Sequence, residues 1–343
     1  MTELKRGRRI RIDGPHKVTL EDFDVGKVEL RNKETLVKTI YSLISAGTEL
    51  SIYTALDQRV YDPRSWAHYP FYPGYAAVGR VLKKGSDVSS LSVNDVVYMW
   101  GKHASHSVID TSKQPVLVLT KDVDLEKVPF IRMATIAITA VDVSTIKIGS
   151  TVAVLGLGLV GNLAAQLFKL SGARVIGIEL SPGRRELGTN CGIDTVIDPA
   201  VIDLNEVILQ KTAGLGADIV VEAIGKPDLV VNIATLVRKG GELILLGSPR
   251  GKAELNITQF LRCIHRGEVV LKGAHESILP TFAGLNTSRS REENSKHIMD
   301  LIQNDLLVID KLITHRIVAE EIGHAYEDLL NKKDQSLGVI VRW

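Results

Sequence analysis

The chain is short of cysteine, of excess charge, of long apolar runs and of aromatic residues, and each shortage closes a class of function. Its 343 residues include two cysteines, Cys191 and Cys263, neither in a CxxC pair nor beside a histidine cluster. That excludes a disulfide framework and a cysteine-based zinc site, and it points to a reducing compartment. Basic and acidic residues nearly cancel, 42 Lys and Arg against 40 Asp and Glu. The one basic stretch, KRGRRIR near the N-terminus, alternates with apolar residues and carries no interleaved aromatics. It reads as a solvated strand edge, so nucleic acid is not an expected partner. No run of 18 apolar residues is present to span a bilayer, and Met1 to Arg11 lacks the apolar core of a signal peptide. A cytoplasmic protein without membrane association is the expectation. Aromatics make up only 5% of the chain, yet six of them (Tyr53, Tyr61, Trp66, Tyr69, Phe71 and Tyr72) crowd into one segment. That segment either packs a loop or walls a substrate pocket.

What is abundant is glycine in a particular place. A short apolar run, Val152 to Leu155, enters Gly156-Leu157-Gly158-Leu159-Val160-Gly161, and apolar residues then recur at helical spacing through Leu170. A second β-rich run, Arg174 to Ile178, ends on Glu179. Strand, glycine turn, helix, strand and acid make a dinucleotide-binding unit. Gly156 permits the tight turn, Gly158 admits a pyrophosphate close to the backbone, and Gly161 lets the helix approach the strand. The amides at Leu159 and Val160 begin the helix and face the phosphates. Glu179 can accept hydrogen bonds from ribose hydroxyls and would repel a 2′-phosphate, which favours NAD over NADP. Arg184 and Arg185 follow closely and can instead serve a phosphate.

At this length two domains are expected. From Arg8 to about Leu119 short β-like runs alternate with turns, a compact β-rich unit. Asp124 to Lys147 reads as helical. After the glycine turn, Thr195–Ile197, Asp218–Glu222, Glu242–Leu246 and Val269–Leu271 read as further strands, giving six in a doubly wound parallel sheet. Ile224, Gly247 and Ser248 fall at strand ends, on the edge where a cofactor lies. Helices are expected around Ser295–Asn304 and Glu320–Asn331, with a last strand, Gly338–Arg342, returning to the first unit.

Taken together the motifs resemble the medium-chain dehydrogenase/reductase superfamily over nearly the whole chain. Ala46-Gly47-Thr48-Glu49 is similar to its Cys-Gly-Thr-Asp, Pro73-Gly74-Tyr75-Ala76-Ala77-Val78-Gly79 to its Pro-Gly-His-Glu-x-x-Gly, and VVEAIGKPD and VRKGGELILLGSP to its fourth and fifth nucleotide-domain strands. The resemblance implies an α/β fold: a GroES-like β-rich catalytic domain (1–132 with 275–343), plus a Rossmann domain (133–274) built on a doubly wound parallel six-stranded sheet. It also implies a homodimer or a dimer-based tetramer, paired through the last strand of that sheet.

The departures concern the metal. Positions that hold catalytic zinc in metal-dependent members look here like Ala46, Tyr75, Ala76 and Thr135, and neither alanine nor an un-ionised phenol is a zinc ligand. The four-cysteine structural zinc loop is missing, and His68, His103 and His106 lack tetrahedral Cys/His spacing. No zinc is expected. The resemblance makes Thr48 the first candidate to contact the substrate oxygen, and Tyr75, in the place of a histidine ligand, a candidate donor to the same oxygen. Glu49 can act as a base, although its aspartate counterpart in relatives often has a structural role. Ser51 stands where many relatives put a relay histidine. Tyr53, Trp66, His68 and His103 are further candidates around a small-molecule substrate.

Zinc-free relatives are either enoyl or quinone reductases, mostly using NADPH, or alcohol-dehydrogenase-like proteins that have lost the metal. Ser45-Ala46-Gly47-Thr48-Glu49 and Glu179 are closer to the second set. The expected reaction is therefore NAD-dependent hydride transfer between nicotinamide and a secondary alcohol or ketone on a sugar, cyclitol or other ring. An NADPH-dependent enoyl or quinone reductase is the alternative, and a non-catalytic NAD(H)-binding sensor is the alternative of another class.

Overall fold

The chain alternates buried apolar strands with amphipathic helices, and the placement of glycine and of the last strand decides how they assemble. The computed structural model describes residues 6–284 and 289–343. An antiparallel pair, β1 (Arg6–Gly14) and β2 (Lys17–Asp24), precedes the long β3 (Glu34–Leu43). Helix α1 (Ala46–Tyr53) follows at once. It interrupts a stretch expected to be all β. The Glu49 carboxylate explains the helix locally, because its Oε1 accepts from the Ser45 amide at 2.9 Å and satisfies the helix start. Strands β4 (Ala77–Lys84), β5 (Val96–Met99), β6 (His106–Asp110) and β7 (Leu117–Val118) then build outward from β3.

Helix α2 (Phe130–Val143) leads to β8 (Thr151–Leu155), whose five residues are all buried, as expected of a central parallel strand. The α/β alternation continues through α3 (Leu159–Leu170), β9 (Arg174–Ile178), α4 (Pro182–Asn190), β10 (Thr195–Ile197), α5 (Leu204–Lys211), β11 (Ala217–Glu222), α6 (Pro227–Ile233), β12 (Val237–Leu245), α7 (Thr258–Gly267) and β13 (Val270–Gly273). The six strands β8 to β13 are all parallel, in the order β10-β9-β8-β11-β12-β13. That order is doubly wound, with its switch point between β8 and β11. Beyond it come α8 (Arg291–Gln303), β14 (Ile313–Val318), α9 (Ile322–Asn331) and β15 (Gly338–Arg342). β15 pairs antiparallel with β3 and parallel with β14, so the chain end completes the sheet that β3 began.

One core runs through both sheets. Leu43, Val78 and Tyr98 from the first share a buried cluster with Phe130 of α2 and with Val152 and Phe168 of the second. The packing of α2 on α3 therefore fixes the glycine turn against the strands that carry the candidate site. At β13 the parallel sheet ends on an exposed edge bearing Val270 and Leu271. Among the described residues no helix is long and apolar enough to cross a membrane.

Candidate active site

At the carboxyl end of β8 the backbone must turn sharply into α3. Gly156 takes φ +88°, a left-handed value that suits glycine, and its amide donates to the Ile178 carbonyl at 2.8 Å. A Cβ on Gly161 would lie 1.9 Å from the Gly156 carbonyl oxygen, so only glycine lets α3 come this close. No side chain caps α3 at Gly158, which leaves the first amides of the helix, at Leu159 and Val160, free for an anionic ligand. This cradle fits a dinucleotide pyrophosphate.

Glu179 turns back to the cradle. Its Oε2 accepts from the Leu157 amide at 2.8 Å and its Oε1 from Ser181 N at 2.9 Å. Arg184, on α4, reaches over Gly158, and its Nε is buried without a hydrogen-bond partner. Ile224 covers Gly156 from the end of β11. Glu222, unremarked in the sequence, holds that loop by accepting from the amides of Ile224 at 2.7 Å and Gly225 at 2.8 Å. Burial raises its carboxyl pKa even so. Gly247 and Ser248 follow β12 on the same edge, and Gly247 packs onto the Ile224 and Gly225 amides.

Across from this edge lies a cluster of hydroxyls. The Tyr75 phenol is hydrogen-bonded to Ser45 Oγ, and the Thr48 hydroxyl interacts with it as well. Beneath the ring lies Arg132 of α2, its Cζ 5.2 Å from the Tyr75 centroid and 4.5 Å from that of Trp100. Glu276 grips the Arg132 guanidinium with both carboxylate oxygens, while Arg132 Nε is buried without a partner. Burial raises the Tyr75 pKa above the usual phenol value, against the pull of the Arg132 charge and of the Ser45 and Thr48 hydroxyls. The result is a protonated phenol with partners placed to stabilise its loss of a proton.

The structure brings Thr48 and Tyr75 together but takes four other candidates away from them. Glu49 is fully buried, and its second oxygen accepts from His103 Nε2 at 3.0 Å and from the Tyr326 hydroxyl at 2.7 Å. It is an interior brace, not a free base. His103 is equally buried, its Nδ1 committed to Ser42 Oγ at 2.8 Å, so both ring nitrogens are engaged within the protein. Ser51 donates to the Thr48 carbonyl at 2.7 Å inside α1. Tyr53 faces α9, donating to Glu327 at 2.8 Å and packing on Tyr326.

The aromatic segment is chiefly loop packing. Tyr69 and Tyr72 spend their hydroxyls on the Ile52 carbonyl and Glu21, Tyr61 meets Tyr69 edge-on, and Trp66 meets Phe71 edge-on. Trp66 stays largely exposed, with the Arg59 guanidinium 5.8 Å from its ring. His68 is bonded through Nδ1 to the Ser65 carbonyl at 2.6 Å.

Thr135 is occupied within its own helix. Its hydroxyl donates to the Ile131 carbonyl and faces Ser295, whereas Arg132, one helical turn earlier, stands beside Tyr75. The signal was visible, since a lone cation in the apolar run VPFIRMATIAITAV demands a buried partner. Two alanines, a protonated phenol and a guanidinium do not fit a zinc ion, because alanine has no donor atom, an un-ionised phenol is a poor one, and the guanidinium repels a cation. Among the described residues no group of three or more His, Cys, Asp or Glu is arranged to hold a metal.

Comparison with known proteins agrees with this architecture. Residues 160–277 match a family model described as zinc-binding dehydrogenase. The chain is 30% identical over 200 residues to alcohol dehydrogenase-like 7 of Arabidopsis thaliana, covering 56% of this chain and 47% of that protein. It is 29% identical over 274 residues to L-threonine 3-dehydrogenase of Caldanaerobacter subterraneus, covering 69% and 76%. The chain thus spans about half the length of several curated relatives it matches. The structure of galactitol-1-phosphate dehydrogenase from Escherichia coli superposes with a TM-score of 0.82 at 18% identity, covering 98% of this chain and 100% of that one. A doubly wound sheet entered by this glycine turn, completed by a β-rich sheet closed by the chain's last strand, is the fold of these dehydrogenases, and over residues 160–277 the sequence is similar to theirs as well.

Proposed function

We propose that the protein is an NAD(H)-dependent oxidoreductase that interconverts a secondary alcohol and a ketone without zinc. The observation that carries this reading is the Ser45, Thr48 and Tyr75 hydroxyl cluster above the buried Arg132 guanidinium. The nicotinamide ring, when bound, supplies or accepts the hydride. The protein's own work is to hold the reacting oxygen and handle its proton. Thr48 and Tyr75 donate hydrogen bonds to that oxygen, and Tyr75 gives up its proton in reduction and recovers it in oxidation. Ser45 donates to the Tyr75 oxygen and steadies the phenol as its charge changes. Arg132 acts at one remove, its positive charge favouring the phenolate while Glu276 fixes its position.

In the same reading residues 133–274 bind the dinucleotide, and 1–132 with 275–343 carry the reaction centre. Glu179 and the α3 amides receive the adenosine ribose and the pyrophosphate, with Arg184 beside them. Arg184 is also what favours a second reading, an NADPH-dependent reductase, because its unpartnered Nε can serve a 2′-phosphate. Fluorescence titration separates the two. NADH is expected to bind about tenfold or more tightly than NADPH, since Glu179 repels a 2′-phosphate. The opposite order, with turnover of enones and none of alcohols, would select the reductase. Binding of NADH with no turnover of any alcohol or ketone would leave a sensor.

A further inference from the structure

Arg250 belongs to neither half of the machinery described so far, yet it stands between them. It follows Gly247, Ser248 and Pro249 at the carboxyl end of β12, and its amide donates to the Gly225 carbonyl at 3.1 Å. Its side chain leaves the parallel sheet and crosses to α1. Nη1 and Nη2 come within 3.6 and 3.8 Å of the position a Cβ would occupy on Gly47, the residue before Thr48.

The charges around it do not balance. Arg250 lies near enough to Tyr75, Asp57 and Arg59 to feel all three electrostatically. Asp57, the one carboxylate in that set, is already engaged by Arg59, which reaches both of its oxygens at 2.9 and 2.6 Å. Deeper in the site Arg132 is neutralised by Glu276. Arg250 therefore remains a half-buried guanidinium with no hydrogen bond or ion pair to its side chain among the described residues. A desolvated cation without a counter-ion is costly, and a planar fork of N–H donors matches a carboxylate or phosphate group.

We propose that Arg250 binds an anionic group, a carboxylate or phosphate, on the molecule whose hydroxyl meets Thr48 and Tyr75. This deepens the function proposed above and rests on it. The substrate is then an acidic hydroxy compound rather than a neutral alcohol, and its charge lies where Arg250 approaches α1. A guanidinium in this place has a second anion within its chemistry, the pyrophosphate of the dinucleotide, and the test separates the two.

Protein saturated with NAD is titrated calorimetrically with glucuronate against glucose and with inositol 1-phosphate against inositol, in the wild type, Arg250→Met and Arg250→Lys. NADH affinity is measured for each variant. The charged member of at least one pair is expected to bind the wild type about 10- to 100-fold more tightly than its neutral partner, the range of a charge-assisted hydrogen-bonded pair. Arg250→Met should erase that preference with NADH affinity within about twofold, and Arg250→Lys should keep part of it. A wild type without preference for the charged members, or a preference that survives Arg250→Met, overturns the proposal. So does an Arg250→Met protein that loses NADH affinity while keeping the preference, which assigns the guanidinium to the cofactor. A wild type that fails to bind NADH removes the underlying function instead, so the two failures are distinct.

Discussion

Replacing Tyr75 by phenylalanine is expected to lower kcat for alcohol oxidation by about 100-fold or more, the usual scale for loss of a positioned acid or base. NADH affinity should be kept, because the ring still fills its place over Arg132. The pH profile carries the more specific signature. Burial holds the Tyr75 pKa above that of a free phenol, although Arg132 and the Ser45 and Thr48 hydroxyls pull it back. The phenol is thus protonated at neutral pH, ready to donate to a carbonyl oxygen in reduction. In oxidation the scarce phenolate is the active form, so the wild-type rate should climb by about tenfold per pH unit across pH 7 to 9. Tyr75→Phe should flatten that climb. Initial rates with a fixed alcohol across this range check both statements, and an unchanged slope in Tyr75→Phe would remove the phenol from proton transfer.

Glu49→Ala is expected to cost about 3–5 kcal/mol of stability, the scale for removing one member of a buried charged network. The substitution strands the Ser45 amide, His103 Nε2 and the Tyr326 hydroxyl together. It also loosens α1, which presents Thr48. A drop in melting temperature of roughly 10 °C should follow. Burial alone would raise the Glu49 pKa, but attraction to the His103 ring, with the hydrogen bonds from His103, Ser45 and Tyr326, brings it below the ordinary carboxylate value. A carboxylate depressed in the folded state stabilises above its unfolded pKa, about 4.3, and that contribution fades as pH falls through the folded value. Melting curves should therefore show the gap between wild type and Glu49→Gln wide at pH 7 and narrower at pH 4. An equal gap at both would mean that the network is not held by the carboxylate charge.

What could be seen in the sequence was whatever depends on near neighbours along the chain. Strand, turn, helix and acid from Thr151 to Glu179 lie within thirty residues, and steric rules fix each glycine's place, so the cradle could be read residue by residue. Glu49 shows the limit. As an acid beside Thr48 it can be read as a base or as a structural acid, and what decides lies at positions 103 and 326, where only the return of the chain through α9 brings Tyr326 to it. Tyr53 was hidden in the same way by Glu327. Arg132 could be noticed as the lone cation of an apolar run, but its place beside Tyr75 could not, because that run has apolar residues on several faces. Arg250 could be placed at the sheet's carboxyl edge, but its reach to Gly47 of α1 could not, because the direction of a long side chain is set by tertiary packing.

The account stands or falls on whether hydroxyl groups and a guanidinium do the work that relatives give to a metal. Zinc content and NADH-linked turnover should be measured on the same chelator-treated sample, with the dehydrogenase assay run in metal-free buffer. The account predicts full turnover with zinc far below one ion per chain, and no gain when zinc is restored. Turnover that disappears with the chelator and returns with stoichiometric zinc would contradict it.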